Sequence, residues 1–416
     1  TSGAIQAIQN AGYTFAYGEA ANCSVTASRN YAPHLQASAP AKAYRVDPRG
    51  VYIAWNGPDG DAVDFAADIM LKSFLNTPNA GAVPMGWRVN PHFMDWNPML
   101  YDCYAKTHQN VEIISSMHDG GFPGTEAGRD AYARSYTEYY RRSRGVIQGL
   151  HCFGPFRAGR DPFASILQPH FSPLYIIRGY DGYMNDSWEY SVLGPTVSCS
   201  QVGISDNYAP EAGFRYFSGL IEHPRNRGKP LFMIARAGLK NGNHFFWWIN
   251  RVSRRLARES SRPVHFLRPA DLIETLKAHQ AGKAVSDAPP TIDFNPPPVP
   301  ADRLQAATKA LDKAATYLEQ TEAIFALGRM GPGAAPAVGR LLALLSDKDR
   351  DVRISVCWAL GYIEDTRAVG PLTKALASDQ DTGVRWAAAK ALGCFGADAA
   401  SAIPALVRAC EDPGHH

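Results

Sequence analysis

Along the first 285 residues, short apolar runs rich in β-branched and aromatic residues alternate with longer stretches of helical period. The runs are "YTFAYG" (13–18), "VYIAWN" (51–56), "VPMGWRV" (83–89), "VEIISSM" (111–117), "VIQGLHC" (146–152), "LYIIRGY" (174–180), "TVSCSQV" (196–202), "LFMIAR" (231–236) and "VHFLRP" (264–269). Runs of this length and composition read as strands. Between them, "DAVDFAADIMLKSFL" (61–75), "AGRDAYARSYTEYYRRS" (127–143) and "ADLIETLKAHQ" (270–280) carry apolar residues at helical spacing. Strand and helix in repeated alternation predict a parallel sheet with helices outside it. Nine candidate strands are one more than a (β/α)8 barrel needs, so the expected class is α/β, a TIM-like (β/α) barrel with some irregularity.

The pattern changes after "SDAPPTIDFNPPPVPAD" (286–302), which holds six prolines and no periodicity. Such a stretch predicts a stiff, extended linker. Beyond it, "AIFALG" (323–328), "VCWALG" (356–361) and "AAKALG" (388–393) recur at steps of 33 and 32 residues. Each is followed by a second helical segment: "AVGRLLALLSD", "VGPLTKALASD" and "AIPALVRACED". A two-helix unit of this period is the signature of a solenoid. The region resembles short HEAT repeats of the phycobilin-lyase-like kind. The expected organisation is therefore a barrel domain at 1–285, a linker at 286–304 and an all-α HEAT-repeat solenoid at 305–416.

Composition narrows the function classes. With 416 residues, 45% hydrophobic and 19% charged, the chain has enough apolar material for more than one core. A formal charge of +3, spread over 42 basic and 39 acidic residues without a basic stripe, argues against a nucleic-acid partner. No apolar run reaches the roughly 18 residues that a membrane span requires. None of the seven cysteines forms a CxxC pair, so neither a zinc nor a redox motif is expected, and no cofactor is called for. The chain begins at Thr1 without a methionine, which fits a removed signal peptide as well as a fragment. The expected location is secreted, periplasmic or at the cell surface.

In a parallel barrel the ligand meets the carboxyl ends of the strands, because the variable loops gather there. The residues that end or follow the strands are Glu19 and Asn22; Asn56, Asp59 and Asp61; Arg88, Asn90 and His92; His118 and Asp119; His151; Asp181, Asn185 and Asp186; Ser205, Asp206 and Asn207; and Arg236, with His244 further on, interleaved with Trp55, Trp87, Tyr180, Tyr183 and Trp188. Carboxylates, imidazoles and amides interleaved with aromatic residues suit a sugar, whose ring offers apolar C–H faces and a hydroxyl edge. Paired carboxylates suit glycosidic hydrolysis, in which one acid protonates the leaving oxygen and the other attacks or activates water. Asp61, Asp119 and Asp181 are the expected catalytic residues. Asn56, Asp59, Trp87, His118, His151, Asn185, Asp206 and Arg236 are expected to hold substrate. Asp61 also fits a helix cap and Asp181 an Asp-Gly turn.

Several of these residues fall in a recognisable order. "GVYIAWNGPDGDAVDF" followed by "AVPMGWRVNPHFMDWNPMLYDCYAKTHQNVEIISSMHDGGFPG" resembles the GxGYxYP family, whose members are inferred to be glycoside hydrolases. Asp59, Gly60 and Asp61 match a D-G-D strand end; Pro84, Gly86 and Trp87 a P-x-G-W strand; Pro91, Asp95 and Pro98 a P-x-x-x-D-x-x-P run. The eponymous turn is reduced to "HDGGFPG", which keeps Gly121, Phe122 and Pro123. The resemblance spans about 1–285 and implies a barrel-like domain acting on carbohydrate in secreted bacterial proteins.

The leading expectation is a carbohydrate-active hydrolase with an appended solenoid. A second is a non-catalytic carbohydrate-binding or scaffolding protein whose HEAT repeats hold a protein partner. A third is a metal-dependent hydrolase or deacetylase using Asp59, Asp61, His118 and His151, although no HxH or HExxH spacing is present.

Overall fold

A computed structural model describes residues 39–57, 81–89, 110–117, 126–143, 145, 147–152, 173–178, 188–204, 210–237, 245–294 and 299–410. The chain divides into two compact units, with the main boundary between Asp293 and Phe294.

The first unit is built on ten strands: β1 (Val51–Asn56), β2 (Met85–Val89), β3 (Val111–Met117), β4 (Ile147–Cys152), β5 (Tyr175–Arg178), β6 (Tyr190–Leu193), β7 (Thr196–Cys199), β8 (Val202–Ile204), β9 (Leu231–Ala237) and β10 (Val264–Phe266). Helices α1 (Glu126–Arg142), α2 (Pro210–Glu222), α3 (Phe245–Glu259) and α4 (Pro269–Gln280) accompany them. The strand order is β6-β7-β5-β4-β3-β2-β1-β9-β8, with β10 beside β1. Every neighbouring pair is parallel except β6 with β7.

The sheet is curled, and one segment shows how. Strands β7 and β8 are separated only by Ser200 and Gln201. The first pairs with β5 and the second with β9, so Thr196–Ile204 belongs to both ends of the parallel run. The expected irregular TIM-like (β/α) barrel is seen here as a curled α/β sheet of mixed strands. Strand β10 is a three-residue piece alongside the start of β1, where Val51 faces Val264, while β2 joins β1 only at Trp55 and Asn56. Strand β6 is antiparallel and was not foreseen, since "YSVL" is largely exposed and carries little apolar pattern. The candidate strand at 13–18 lies outside the described residues.

Burial on both faces explains why the strands read as continuous apolar runs rather than alternating ones. Tyr52 and Ala54 point to the concave side, where they pack with Ile114, Tyr175, Ile177, Val197, Cys199, Phe232 and Ile234 against Leu272, Ile273 and Leu276 of α4. Each such buried aliphatic side chain contributes roughly 2 kcal/mol relative to exposure. The other face of β1 meets the outer helices: Trp55 donates from Nε1 to Ser253 Oγ at 2.8 Å and lies edge-on to Phe217 and Trp248. Gly149 is required where it stands, because a Cβ there would fall 2.0 Å from the Tyr175 ring.

Helix α4 begins against the concave face. Pro269 has no N–H to satisfy, and the next free donor, Ala270 N, reaches Glu112 Oε2 at 2.9 Å. Tyr175 donates its hydroxyl to the other oxygen at 2.5 Å. Arg268 and Asp271 pair bidentately in the same first turn, and Asp271 also accepts from Lys42 N.

The second unit contains α5 (Ala301–Lys313), α6 (Tyr317–Gly328), α7 (Val338–Ala343), α8 (Arg350–Ile363), α9 (Val369–Ser378), α10 (Thr382–Phe395) and α11 (Ile403–Ala409). The recurrent A-L-G triplets explain the stacking. A Cβ on Gly328 would lie 2.9 Å from Ala359 Cα, and one on Gly361 would lie 3.1 Å from Ala391 Cα. Each triplet's glycine thus receives the alanine of the next triplet, and the leucines between, Leu327, Leu360 and Leu392, fill one core. Gly393, in the last triplet, has nothing within 4 Å of its would-be Cβ. Asp349 and Asp381 cap α8 and α10. The apolar stretch Thr382–Ala409 is long enough to cross a membrane by length and composition, but it breaks at Gly396, whose φ is 56°, into two helices. Cys199, Cys357 and Cys394 are buried free thiols and Cys410 is an exposed one.

Candidate functional site

The C-terminal ends of the parallel strands carry a chain of buried polar side chains on the concave side. Period-two alternation puts Asn56 on the face of Tyr52 and Ala54. Register does the same for its neighbours: Arg236 on β9 is level with Asn56, and Gly86 on β2 is its partner on the other edge. Arg88, two residues beyond Gly86, shares that face. His151 on β4 is level with Ile177, a member of the concave core. Gln201 occupies the joint between β7 and β8.

These side chains bond to one another. Asn56 Nδ2 donates to Gln201 Oε1 at 2.8 Å. Gln201 Nε2 lies 3.4 Å from His151 Nε2, and Arg88 Nη1 lies 2.9 Å from the same nitrogen and 3.1 Å from Nδ1. Arg88 Nε donates to Gly57 O at 2.6 Å, so the guanidinium is tied to the end of β1 as well. Asn56, Arg88 and His151 are fully buried and Gln201 is 6% exposed. Asn56 Oδ1 has no hydrogen-bond partner among the described residues. Four segments distant in sequence therefore meet through one polar chain.

Glu112, the register partner of Gly86 on β3, is a further buried polar group. Desolvation pushes its carboxyl up to about 7, although the Tyr175 hydroxyl, the Ala270 amide and the Arg268 guanidinium all favour the ionised form. The Tyr175 phenol is raised well above its ordinary 10, first by burial and then by the Glu112 charge. Glu112 is a structural anchor for α4 and was not among the residues expected from sequence.

Of the expected site residues, Asn56, His151 and Arg236 stand on the concave side at the strand ends. Trp87 does not, and this is a correction. It is one residue out of phase with Arg88, is 1% exposed, and stacks on Phe246 of α3 at 5.1 Å and 5°. Its ring belongs to the layer between sheet and helices and offers no open face to a sugar. Asp59, Asp61, His118, Asp119, Asp181, Asn185 and Asp206 lie outside the described residues. Among the described residues no group of three or more His, Cys, Asp or Glu could hold a metal ion. Sequence reasoning places Arg88 at a strand end without assigning it a role, and it misses Gln201. The available signal was parity: each falls in phase with the inward residues of its strand, Arg88 after Gly86 and Gln201 after Val197 and Cys199.

Residues 304–393 and 338–415 match the HEAT-repeat family. The C-terminal region carries HEAT repeats. None of the curated proteins matches the chain in sequence. Among solved structures, a presumed hydrolase from Bacteroides thetaiotaomicron is similar at a TM-score of 0.52 and 17% identity, covering 66% of this chain and 54% of that one. The chain thus spans about half the length of that structure, and identity this low shows the fold alone. A presumed polysaccharide deacetylase from Mycobacterium smegmatis is similar at a TM-score of 0.41 and 12% identity, covering 62% of this chain and 100% of that one.

Proposed function

We propose that the first unit is a carbohydrate-active hydrolase that cleaves glycosidic bonds at the carboxyl ends of its parallel strands. The observation that supports this best is the buried chain Asn56–Gln201–His151–Arg88, on the concave side where a curled parallel sheet gathers its ligand. Burying such groups costs stability, and a polar, hydrogen-bonding ligand is a reason to keep them there. In this reading Thr196–Ile204 closes the sheet into a seven-stranded (β/α) barrel, since it is shared between β5 and β9. The chemistry falls to carboxylates that follow the strands: Asp61, Asp119 and Asp181, the first being the D-G-D aspartate of the GxGYxYP resemblance. Asn56, His151 and Arg236 would contact the sugar, together with Asp59, His118, Asn185 and Asp206. The HEAT repeats would hold a protein partner, and the site of action would be outside the cytoplasm.

The test is a screen of polysaccharides, acetylated polysaccharides and aryl glycosides. Wild-type protein should turn over at least one glycoside, and Asp119→Asn and Asp181→Asn should each lower kcat by orders of magnitude while leaving Tm unchanged. Near-normal rates in both variants would refute the assignment. Acetate release without glycoside cleavage would replace it with a deacetylase.

A further inference from the structure

The helical unit is closed at its first end and open at its last. At the start, α5 packs on α6 through Ala307 and Leu311 and leaves Asp302, Arg303, Lys309, Asp312 and Lys313 exposed. A terminal helix with a polar outer face is how a stack of repeats is capped. At the other end no such helix is found among the described residues, and the stacking positions show what is left bare. Gly328 receives Ala359 and Gly361 receives Ala391, but nothing stands within 4 Å of a Cβ on Gly393. Trp386, two turns before Gly393 on the same face of α10, lies edge-on to Trp358 of the preceding unit at 5.6 Å and is still 44% exposed. The first residue of each second helix follows the same course: Val338 and Val369 are 0% and 6% exposed, and Ile403 is 55% exposed. Val407, one turn further on, is 58% exposed, and Cys410 continues that stripe as an exposed thiol. The last unit thus presents to solvent the positions that the first two units bury.

We propose that this end face is where a second copy of the chain docks. The occupant follows from what the face accepts. It continues the contact between units, in which a glycine meets a small residue of the facing helix and apolar side chains close around it. Among the described residues, each copy has one such face left, because the glycines at 328 and 361 are filled and α5 closes the first end. Two copies therefore join last unit to last unit across a two-fold axis, an isologous pairing in which each chain supplies both halves of the contact. Half-buried Ala389, one turn before Gly393, is the small residue that the opposite glycine needs. The pairing does not rest on the hydrolase reading of the first unit.

The experiment is sedimentation velocity on the full chain over a range of concentrations. Wild-type protein should reach twice the mass of one chain. Val407→Asp puts a charge into the contact and should give a monomer with unchanged circular dichroism and thermal melt, since Val407 is mostly exposed within its own chain. Lys309→Asp, on the outer face of α5, should leave the dimer intact. A long, flexible bismaleimide should join two wild-type chains through Cys410, and Cys410→Ser should remove that product. This readout decides the point even if Val407→Asp fails to fold. A wild-type monomer at every concentration would overturn the proposal. So would a dimer that survives Val407→Asp, or one that Lys309→Asp dissolves.

Discussion

Replacing Glu112 by Gln should remove a pH dependence from the stability of the first unit. In the unfolded chain this carboxyl titrates near its ordinary 4.5, and in the folded chain burial holds it at about 7. Between those values the folded state keeps a proton that the unfolded state has released. Raising the pH through the window therefore favours unfolding, and the penalty is complete above the folded value. From 4.5 to about 7, at roughly 1.4 kcal/mol per pH unit, the full cost is about 3 kcal/mol. Between pH 5 and pH 8.5, about 2.5 kcal/mol of it should be lost. Glutamine copies the protonated acid: its carbonyl can accept from Ala270 N, and its amide can donate to the Tyr175 oxygen, which contacts Glu112 at 2.5 Å in the native protein. Alanine would be a poor substitute, because it would leave the buried Ala270 amide and Tyr175 hydroxyl without their partner. The assay is urea unfolding at both pH values, followed by tryptophan fluorescence, since six of the eight tryptophans precede the proline-rich linker. Wild-type protein should lose about 2.5 kcal/mol more than Glu112→Gln over this range. Parallel pH dependence in the two proteins would refute the reasoning. So would a variant that is less stable than wild type at pH 8.5 but equal to it at pH 5, because that would mean the surroundings favour the ionised carboxylate.

Gly361→Val should cost about 1–3 kcal/mol by forcing α8 off Ala391, whose Cα stands 3.1 Å from the would-be Cβ. Gly393→Ala, with nothing within 4 Å, should leave the thermal melt unchanged or raise it. Equal effects at the two glycines would show that A-L-G stacking does not set the repeat. Arg353→Ala should destabilise the helical unit by about 1–3 kcal/mol, because it removes two charge-assisted bonds, 2.9 and 3.0 Å, from the half-buried Asp379, which keeps only the Asp381 amide. Arg367→Ala, which removes an exposed pair with Asp365, should be indistinguishable from wild type in the same denaturation series.

The strands were legible because parallel sheets bury both faces, and a short run such as "VYIAWN" or "LFMIARA" has few other ways to fold. The solenoid was legible because its period is carried by residues with one steric purpose: a glycine at 328 or 361 is needed where the alanine of the next unit comes within about 3 Å. The closing device was not legible. "TVSCSQV" reads as one strand, and nothing in it says that its first half pairs with β5 while the residues after Gln201 pair with β9. That choice depends on how far the sheet curls, which is a property of all the strands together. Trp87 was misassigned for a related reason. Its residue type suggested a sugar platform, but its phase, one step from Arg88, sends it to α3, where Phe246 covers it.

Phase also separates the packing residues of the concave side from its polar ones. Read along the inward positions, each strand passes from packing residues to polar ones in its last turn: Tyr52 and Ala54 give way to Asn56, Phe232 and Ile234 to Arg236, and Val197 and Cys199 to Gln201. An apolar side chain at any of these positions would pack on the layer beneath at no desolvation cost, and well-packed apolar replacements of buried polar groups are often neutral or stabilising. Folding alone therefore gives no reason for amides, guanidinium and imidazole to meet there. Glu112 makes the contrast clear. It is as buried as they are, but its two bonds go to a helix N-terminus and a tyrosine of the same core. Its polarity is consumed in holding α4. The bonds given above for the Asn56–Gln201–His151–Arg88 chain run between strand ends, where the proposed ligand site lies.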